Sequence, residues 1–400
     1  MKIVQINAVN GIKSTGRSTI ELSECIKHEG YESYIVYSEG LNTDNSYKIG
    51  NKIEKKIHAL LSRVIGKQGY YSDCSTKKLI KYFKKINPDI IHLNNLHANY
   101  INIEILMNYI IEHKKSVVLT LHDCWFYTGK CTHYTADNCF RWKDSCGSCP
   151  RLKKDIPSII FDRTTTMLRD KEDWYKKIEK LAVIGVSDWI TEEAKKSVLA
   201  EASIIQRIYN GIDLKKFYPK KNNEFKKHQN LQDKYLILGV ASHWTSEKGL
   251  NKFIELSEIL DENEVIILIG NISDMQKLPK NIINIKETEK IELLADIYSS
   301  ADLFLNLSLE ESFGKTTAES LACGTPAIVY NSTANPELIG KGCGEVLYSE
   351  DINELREKIN KIKVSSKSEY SNACRKYAED NFDKNKNNNM YIELYKELLR

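Results

Sequence analysis

Short apolar runs alternate with helical patterns along most of this 400-residue chain. Such runs, rich in β-branched residues, are typical of strands that are buried on both faces of a parallel sheet. Helical segments lie between them, for example Thr15–His28 and Asn102–His113. Repeated strand–helix units predict an α/β fold with helices on both faces of the sheet. The strands predicted in the first half are Lys2–Ala8, Ser33–Tyr37, Asp89–Leu93, Ser116–Leu121, Leu181–Val186 and Ile204–Ile208.

The alternation stops in a polar stretch, Lys220–Gln232, and then starts again. Because the chain is longer than one ordinary hydrophobic core requires, the restart predicts two doubly wound domains in series. Ligands of such sheets bind beyond the C-terminal ends of the strands. The strands predicted in the second half are Tyr235–Val240, Glu264–Ile269, Asn281–Lys286, Asp302–Leu307 and Ala327–Tyr330.

One segment of the second half has the arrangement of an anion site. A strand is followed by a Phe-Gly turn and a helix that stops at Gly324. Backbone N–H groups and the helix dipole attract anions at a helix start. Glu319, one turn inside the helix, can accept hydrogen bonds from the paired hydroxyls of a ribose, and Glu311 can reach a second hydroxylated ring. The segment therefore predicts a nucleotide-sugar site; a surface helix that carries two Glu is the alternative.

This segment resembles the acidic signature of the retaining GT-B glycosyltransferases of glycosyltransferase family 4. The shared features are two Glu with seven residues between them, the Phe-Gly turn and the closing Ala-Cys-Gly-Thr-Pro. The resemblance implies that Glu319 holds the nucleotide ribose and that Glu311 contacts the donor sugar. It also implies donor-binding roles along the turn and the helix start, at Phe313, Gly314, Lys315 and Thr316.

A second segment, Gly239–Leu250, resembles the diphosphate loop of the same family, which ends in Lys-Gly. Lys248 would place a point charge on the donor diphosphate. His243 stands in the neighbourhood where the family usually supplies an Arg, and Glu247 lies beside the Lys. This departure leaves open that Lys248 is a surface lysine at the start of a helix, and Lys315 is a candidate to assist it.

In the first half, His122 resembles the family histidine that lies near the anomeric centre of the donor sugar. Gly16 is a weaker match to a family Gly-Gly pair close to donor and acceptor. A structural histidine is the alternative for His122, because a lone His is more often structural. The segment Tyr209–Asp213 resembles the family's link between the two domains.

The resemblance implies the GT-B architecture: two Rossmann-like domains with an interdomain cleft. We expect an acceptor-binding domain at residues 1–212, with a Cys-rich insertion at 124–150, and a nucleotide-sugar domain at 213–385. A C-terminal helix at 386–400 is expected to cross back to the first domain. Its docking residues, spaced at i, i+3, i+4 and i+7, are Tyr391, Leu394, Tyr395 and Leu398.

The chain contains no Asp-x-Asp, Walker A or G-x-G-x-x-G sequence. This argues against metal-dependent transfer of the GT-A type, nucleotide hydrolysis and NAD binding. The resemblance implies front-face displacement, in which the acceptor hydroxyl attacks the face that the diphosphate leaves. Lys248 and the helix start at Gly314–Thr316 would stabilise the leaving group. We therefore expect that no cofactor is required for catalysis.

Four cysteines fall close together and end in a C-x₂-C pair: Cys131, Cys139, Cys146 and Cys149. In a cytosolic chain this pattern favours a structural tetrahedral Zn²⁺ site. The first two are spaced more widely than in ordinary zinc ribbons, so an iron–sulfur site or unpaired buried thiols remain alternatives. The hairpin also resembles an insertion found in some capsule and O-antigen transferases. Its nearness to His122 suggests a role in shaping the acceptor pocket.

Positive charge is concentrated between Asn51 and Lys85, where ten Lys and Arg face two acidic residues, a net +8 in a chain of net +4. Apolar residues at helical spacing run through part of this segment: Ile53, Ile57, Leu60, Leu61 and Val64. A basic amphipathic helix can lie on an anionic membrane; a helix packed on its own domain with solvated lysines is the alternative. The net charge of the chain is too small to indicate nucleic acid.

No run of 18 apolar residues occurs, and the first residues read as a short strand, not a signal peptide. We therefore expect a cytoplasmic protein, peripheral on the inner face of the membrane if the basic helix docks there. The predicted function is transfer of a sugar from a nucleotide-diphosphate sugar to a glycan or lipid-linked oligosaccharide of capsule, O-antigen or exopolysaccharide type. A nucleotide-sugar epimerase of the same fold and a non-catalytic scaffold with a zinc site are the alternatives.

Overall fold

The structure is a computed structural model that describes residues 1–220, 224–273, 277–286 and 290–400. Two compact units make up the chain, one of Met1–Ile208 with Asn387–Arg400 and the other of Tyr209–Lys386. The chain thus passes between the units twice, close to the expected boundaries at residues 212 and 385. Part of the predicted polar stretch, residues 221–223, lies outside the described residues.

The first unit contains a seven-stranded parallel sheet in the order β3-β2-β1-β4-β5-β6-β7. Its longest strands are β1 and β2, with nine residues each. In chain order its elements are β1 (Lys2–Asn10), α1 (Lys13–His28), β2 (Glu32–Gly40), β3 (Ser46–Lys48), α2 (Lys52–Ile65), α3 (Asp73–Ile86), β4 (Ile90–Leu93), α4 (Ile103–Glu112), β5 (Ser116–Leu121), α5 (Thr164–Tyr175), β6 (Leu181–Gly185), α6 (Asp188–Lys195) and β7 (Ile204–Arg207).

The second unit contains a six-stranded parallel sheet in the order β10-β9-β8-β11-β12-β13. Its elements are α7 (Glu224–His228), β8 (Tyr235–His243), α8 (Leu250–Ser257), β9 (Glu264–Asn271), β10 (Ile282–Ile285), α9 (Ile291–Ser300), β11 (Leu303–Asn306), α10 (Lys315–Ala322), β12 (Ala327–Tyr330), β13 (Gly344–Leu347) and α11 (Ile352–Asn381). A final helix, α12 (Lys384–Leu399), leads into the first unit.

Both sheets have the strand order of a doubly wound fold. In such a fold successive strands are added toward one edge of the sheet and then, after a single switch, toward the other edge. In the first sheet the reversal lies between β1 and β4, and in the second between β8 and β11. The prediction of an α/β fold with two parallel sheets is confirmed. The edge strands β3 and β13 were not predicted, because Ser46–Lys48 and Gly344–Leu347 are short and carry few apolar residues.

The C-terminal segment of the chain completes the core of the first unit. Tyr391, Leu394, Tyr395 and Leu398 are all buried there. The Tyr395 hydroxyl lies 2.7 Å from His92 Nδ1, and the Tyr391 hydroxyl lies 3.0 Å from Thr120 Oγ1. His92 and Thr120 belong to β4 and β5, so α12 is fastened to the middle of the sheet.

The helix expected at 386–400 is present as α12, which begins at Lys384 and is separated from α11, which ends at Asn381. The α11 backbone is also interrupted at Ser366, whose φ is 59°. Among the described residues, no helix is both long and apolar enough to cross a membrane.

Candidate functional site

Two loops of the second unit meet at the point in its sheet where the order of the strands reverses, between β8 and β11. Lys248 follows β8 and Glu311 follows β11, which are neighbouring strands at the reversal. The Lys248 Nζ lies 2.6 Å from Glu311 Oε1. The backbone N–H of Leu309 donates to the Glu247 carbonyl at 3.0 Å, which joins the two loops directly. The topology thus brings together residues that are far apart in sequence, at the edge where such sheets bind ligands.

A tight turn after β8 fixes the position of Lys248. Trp244 is buried at its start and donates from Nε1 to the Ile269 carbonyl at 3.0 Å. The Lys248 N–H donates to the Thr245 carbonyl at 3.2 Å. Gly249 closes the turn with a φ of 81°, and a Cβ there would lie 2.6 Å from the Leu307 carbonyl oxygen. Only glycine fits this position, because both the backbone angle and the space exclude a side chain.

The predicted turn and helix start are present in the structure. Gly314 has a φ of 87° and precedes α10, and no side chain caps the helix. The helix dipole therefore points its positive end at this turn. Lys315 and Thr316 are the first two residues of α10 and are half-buried. Gly324 follows the helix end with a φ of 73°, as a C-terminal glycine should.

A buried amide network, which was not predicted from the sequence, supports this turn. Asn306, the last residue of β11, donates from Nδ2 to Thr317 Oγ1 at 3.1 Å and to Asn335 Oδ1 at 3.3 Å. Its Oδ1 accepts from the Ser308 N–H at 3.2 Å. One buried side chain thus ties β11, the following loop and α10 together. An Asn inside an otherwise apolar strand was the available signal.

The backbone of Glu311 is held on the opposite side of the loop. Its N–H donates to Thr333 Oγ1 at 2.9 Å, and its carbonyl accepts from the Ala334 N–H at 3.2 Å. Thr333 has a φ of 49°, an uncommon angle for a β-branched residue. The loop after β12 therefore positions Glu311, which the sequence pattern did not reveal.

Glu319 lies in the second turn of α10 and is buried. The Tyr298 hydroxyl donates to its Oε2 at 3.2 Å. Burial and the neighbouring Glu319 carboxylate raise the pKa of Tyr298 well above its usual value, so the hydroxyl keeps its proton. This hydrogen bond orients the Glu319 carboxylate at the base of the predicted ribose contact.

Of two further predicted donor-binding residues, Phe313 is buried among aromatic rings and His243 is exposed. The Phe313 side chain is buried and packs against Tyr209 and Phe382, with ring centroids 5.7 and 5.5 Å away. Its side chain therefore anchors the turn, and only its backbone is available to a ligand. His243, at the end of β8, is exposed.

Gly16 and His122 belong to the first unit. Gly16 lies in the first turn of α1, where its carbonyl accepts from the Gly11 N–H at 3.0 Å. A Cβ on Gly16 would lie 3.1 Å from the Gly11 nitrogen, so the close contact favours glycine. The His122 Nε2 lies 3.0 Å from Asn94 Oδ1, just beyond the ends of β5 and β4.

A second histidine, which was not predicted as a site residue, lies in the same part of the first unit. His97 Nε2 is 2.8 Å from Asp123 Oδ2. Burial acts against a charge on His97, but the Asp123 carboxylate outweighs it and raises the pKa of His97. The C-terminal ends of β4 and β5 therefore carry a polar cluster that includes a His–Asp pair.

The four clustered cysteines line one small cavity of about 20 Å³ in the loop between β5 and α5. This volume is comparable to that of a single water molecule. The Cys131 thiol hydrogen-bonds to Cys149, which lowers the pKa of Cys149 to about 7. However, within the described ranges no three His, Cys, Asp or Glu side chains are arranged to hold a metal ion. The zinc site stays a prediction: the thiols share a cavity, but their arrangement is not that of a formed metal site.

Two family models match consecutive parts of the chain. The model described as Glycosyltransferase Family 4 matches residues 15–216, which is more than half of the chain. The model described as Glycosyl transferases group 1 matches residues 221–381. The two matches correspond to most of the first unit and most of the second.

Individual proteins are similar over nearly the full length. The Escherichia coli K12 glycosyl transferase WcaC, assigned to colanic acid biosynthesis, is 21% identical over 370 residues, 89% of each chain. The sucrose-phosphate synthase structure from Thermosynechococcus elongatus has a TM-score of 0.71 at 15% identity, covering 99% of this chain and 98% of its own. Anabaena HepE, solved with UDP and glucose, has a TM-score of 0.69 at 15% identity, covering 99% and 100%. At these identities the structural similarities show the fold alone.

Proposed function

The chain belongs to glycosyltransferase family 4 and is a glycosyltransferase, and we propose that it is a retaining enzyme that uses a nucleotide-diphosphate sugar. One observation carries the proposal: Lys248 and Glu311 meet beside the start of α10, with Glu319 in the next turn. A cation and a helix start suit a diphosphate. Two carboxylates nearby suit the hydroxyls of a ribose and a sugar.

In the proposed mechanism, the protein stabilises the departing diphosphate and does not supply a nucleophile. Lys248 and the N–H groups at the start of α10 would bear the charge that develops as the glycosidic bond breaks. The acceptor hydroxyl would attack the same face, and a phosphate oxygen would take its proton. Glu311 would hold the donor sugar. Because Lys248 and the helix start would carry the charge of the leaving group, catalysis would require no metal ion.

We propose a lipid-linked oligosaccharide of a surface polysaccharide as the acceptor. The names of similar proteins support this class: WcaC is assigned to colanic acid biosynthesis, and the Escherichia coli WclY is an O-antigen biosynthesis glycosyltransferase, 24% identical over 254 residues. The HepE structure with UDP and glucose supports a nucleotide-sugar donor. A lipid-linked acceptor implies action at the inner face of the cytoplasmic membrane.

A thermal-shift panel tests the proposal. Purified protein is heated with UDP, GDP, ADP or CMP and with the sugars of each. A ligand at about 100 times its Kd adds about 2.7 kcal/mol to the free energy of unfolding. A shift for one diphosphate, larger with one sugar attached, is expected. No shift with any of them contradicts the donor site, and sugar conversion without an acceptor would indicate an epimerase.

Glu319→Gln should weaken binding of the preferred nucleotide diphosphate about tenfold, because one charged acceptor for the ribose hydroxyls is lost. The amide can still accept from Tyr298, so the fold should be kept. The measurement is titration calorimetry with the diphosphate alone. Glu357→Gln, an exposed change on α11, is the control. Unchanged affinity in Glu319→Gln would remove the ribose assignment.

We also propose that the four cysteines bind one structural zinc ion. Four thiols form a common zinc ligand set, and their shared cavity supports the proposal. Purified protein should contain about one zinc per chain by mass spectrometry, and Cys139→Ser with Cys146→Ser should lose it. Cys74→Ser, on the exposed side of α3, is the control. Metal-free protein with all four thiols reactive and the same melting temperature would exclude the site.

A further inference from the structure

Helix α2 turns its apolar side away from the protein. Ile53, Ile57 and Leu60 are between 53% and 72% exposed, whereas the residues that α2 buries are His58 and Ser62. A helix that packs on its own domain normally buries its apolar stripe. The orientation of α2 is the reverse. This counts against a helix that packs its apolar side on its own domain, and it leaves the apolar side available to a partner.

Hydrogen bonds on the inner side explain this orientation. His58 is buried, which lowers its pKa to about 4 and keeps the ring neutral. Its Nε2 accepts from the Gly69 N–H at 3.2 Å, so its Nδ1 carries the proton and donates to Ser72 Oγ at 2.8 Å. The Ser62 hydroxyl donates to Asn99 Oδ1 at 3.3 Å. These contacts require the polar side of α2 to face inward.

A loop continues the apolar surface beyond the end of α2. Ile159, Ile160 and Phe161 are between 46% and 60% exposed. The Ile159 N–H donates to the Arg63 carbonyl at 2.7 Å, and the Phe161 carbonyl would lie 2.2 Å from a Cβ on Gly66. The loop backbone therefore lies against the last turn of α2. The docking surface is defined here as the six exposed residues Ile53, Ile57, Leu60, Ile159, Ile160 and Phe161.

Positive charge flanks the docking surface. Lys52, Lys56 and Arg63 are exposed on α2 itself. A cavity of about 830 Å³ is lined by both Ile57 and Lys78, so apolar and cationic groups face the same space. This combination suits an amphiphile with an anionic head group. The exposed lysines on the adjoining α3 are Lys77, Lys78, Lys81, Lys84 and Lys85.

We propose that the docking surface binds an anionic lipid bilayer, with its apolar side chains at the level of the upper acyl chains and the flanking lysines and arginine at the head groups. Amphipathic helices with a basic face bind membranes in this way, through apolar burial together with charge attraction. The inference deepens the proposed function, on which it rests for its purpose, by naming where the protein meets the membrane. Its structural basis lies in the first unit alone.

Sedimentation with lipid vesicles tests the proposal. The wild-type chain should bind vesicles of phosphatidylcholine with phosphatidylglycerol, bind phosphatidylcholine alone much more weakly, and dissociate in high salt. The triple variant Ile57→Ser, Leu60→Ser, Ile160→Ser should lower the partition coefficient at least about tenfold. The variant Lys52→Gln, Lys56→Gln, Arg63→Gln should lower it about 10²-fold, since each cation contributes about fivefold.

Control variants change exposed residues elsewhere. Val364→Ser with Tyr348→Ser removes exposed apolar groups of the second unit, and Lys176→Gln, Lys177→Gln, Lys195→Gln removes three exposed charges. Both controls should bind vesicles like the wild type. Equal binding by the docking-surface variants would overturn the proposal. A dimer in gel filtration that these variants abolish would instead assign the surface to a second copy, and would also overturn it.

The nucleotide thermal shift separates this proposal from the proposed function. Every docking-surface variant should keep the wild-type shift, because Lys248, Glu311 and Glu319 belong to the second unit and none of the substitutions changes a predicted donor residue. If the wild-type protein shows the nucleotide shift but does not bind vesicles, the membrane-docking proposal is wrong and the proposed donor site is kept. Vesicle binding without any nucleotide shift would remove the donor site and leave the docking surface in place.

Discussion

Lys248→Met should lower kcat about 10²–10³-fold, the usual cost of removing one preorganised group that stabilises charge in a transition state. The reason is the place of the ammonium group, which lies 2.6 Å from Glu311 in the loop that leads into α10 and is held by the turn that Gly249 closes. Methionine keeps most of the side-chain length and removes the charge. The measurement is single-turnover transfer with saturating donor.

The ion pair with Glu311 does not prevent this role. The Lys248 side chain is partly exposed, and ion pairs in such positions contribute about 0–1 kcal/mol. A diphosphate can therefore replace or share the Glu311 partner at little cost. For the same reason the melting temperature of Lys248→Met should stay close to that of the wild type.

Lys252→Met is the matched control for this prediction. Lys252 lies in the first turn of α8 and pairs with Glu255 of the same helix at 2.8 Å. Its removal should leave kcat unchanged. If Lys248→Met and Lys252→Met have the same activity, the diphosphate contact of Lys248 is wrong. A reduced rate with an altered melting temperature in both would indicate a structural effect of α8.

The repeating architecture was readable from the chain because each buried strand is a continuous apolar run. Ser116–Leu121 and Ala327–Tyr330 have the predicted bounds. Edge strands give a weaker signal, since one side of each lacks a strand partner and fewer side chains are buried. No strand was therefore predicted at Ser46–Lys48. The Phe382–Asp383 break before α12 has no glycine or proline to mark it.

The candidate site was only partly predictable, because its support comes from distant segments. Glu311, Gly314 and Glu319 form one local motif, and their order along the chain fixes most of their geometry. The contact between Lys248 and Glu311 spans 63 positions and depends on the strand order, which places β8 beside β11. The amide network of Asn306 depends likewise on a loop that follows a later strand.

The apolar side of α2 shows a different limit of the sequence. Helical spacing revealed that the helix is amphipathic, but spacing does not say which side faces the core. The buried His58 decides the orientation, through partners outside α2. A lone histidine in the sequence does not indicate that it is buried, so the orientation of α2 could not be predicted from it.

Glu311→Gln should lower kcat about 10–100-fold and leave the affinity for the nucleotide diphosphate nearly unchanged. A hydrogen bond from a sugar hydroxyl to a charged acceptor is worth about 1.5–3 kcal/mol, and it involves a part of the donor that the diphosphate lacks. Glutamine preserves the shape of the side chain, and the backbone contacts to Thr333 and Ala334 do not depend on its charge. The measurements are kcat with donor and acceptor, and calorimetry with the diphosphate.

A double-variant cycle separates two roles for Glu311, because its carboxylate also contacts Lys248. If Glu311 holds the donor sugar itself, the combined variant Lys248→Met, Glu311→Gln should lose at least about tenfold more kcat than Lys248→Met alone. If Glu311 acts only by positioning Lys248, the second substitution should cost nothing once the lysine is gone. If the combined variant and Lys248→Met have equal rates, Glu311 is a positioning residue and its contact with the donor sugar is not part of the mechanism.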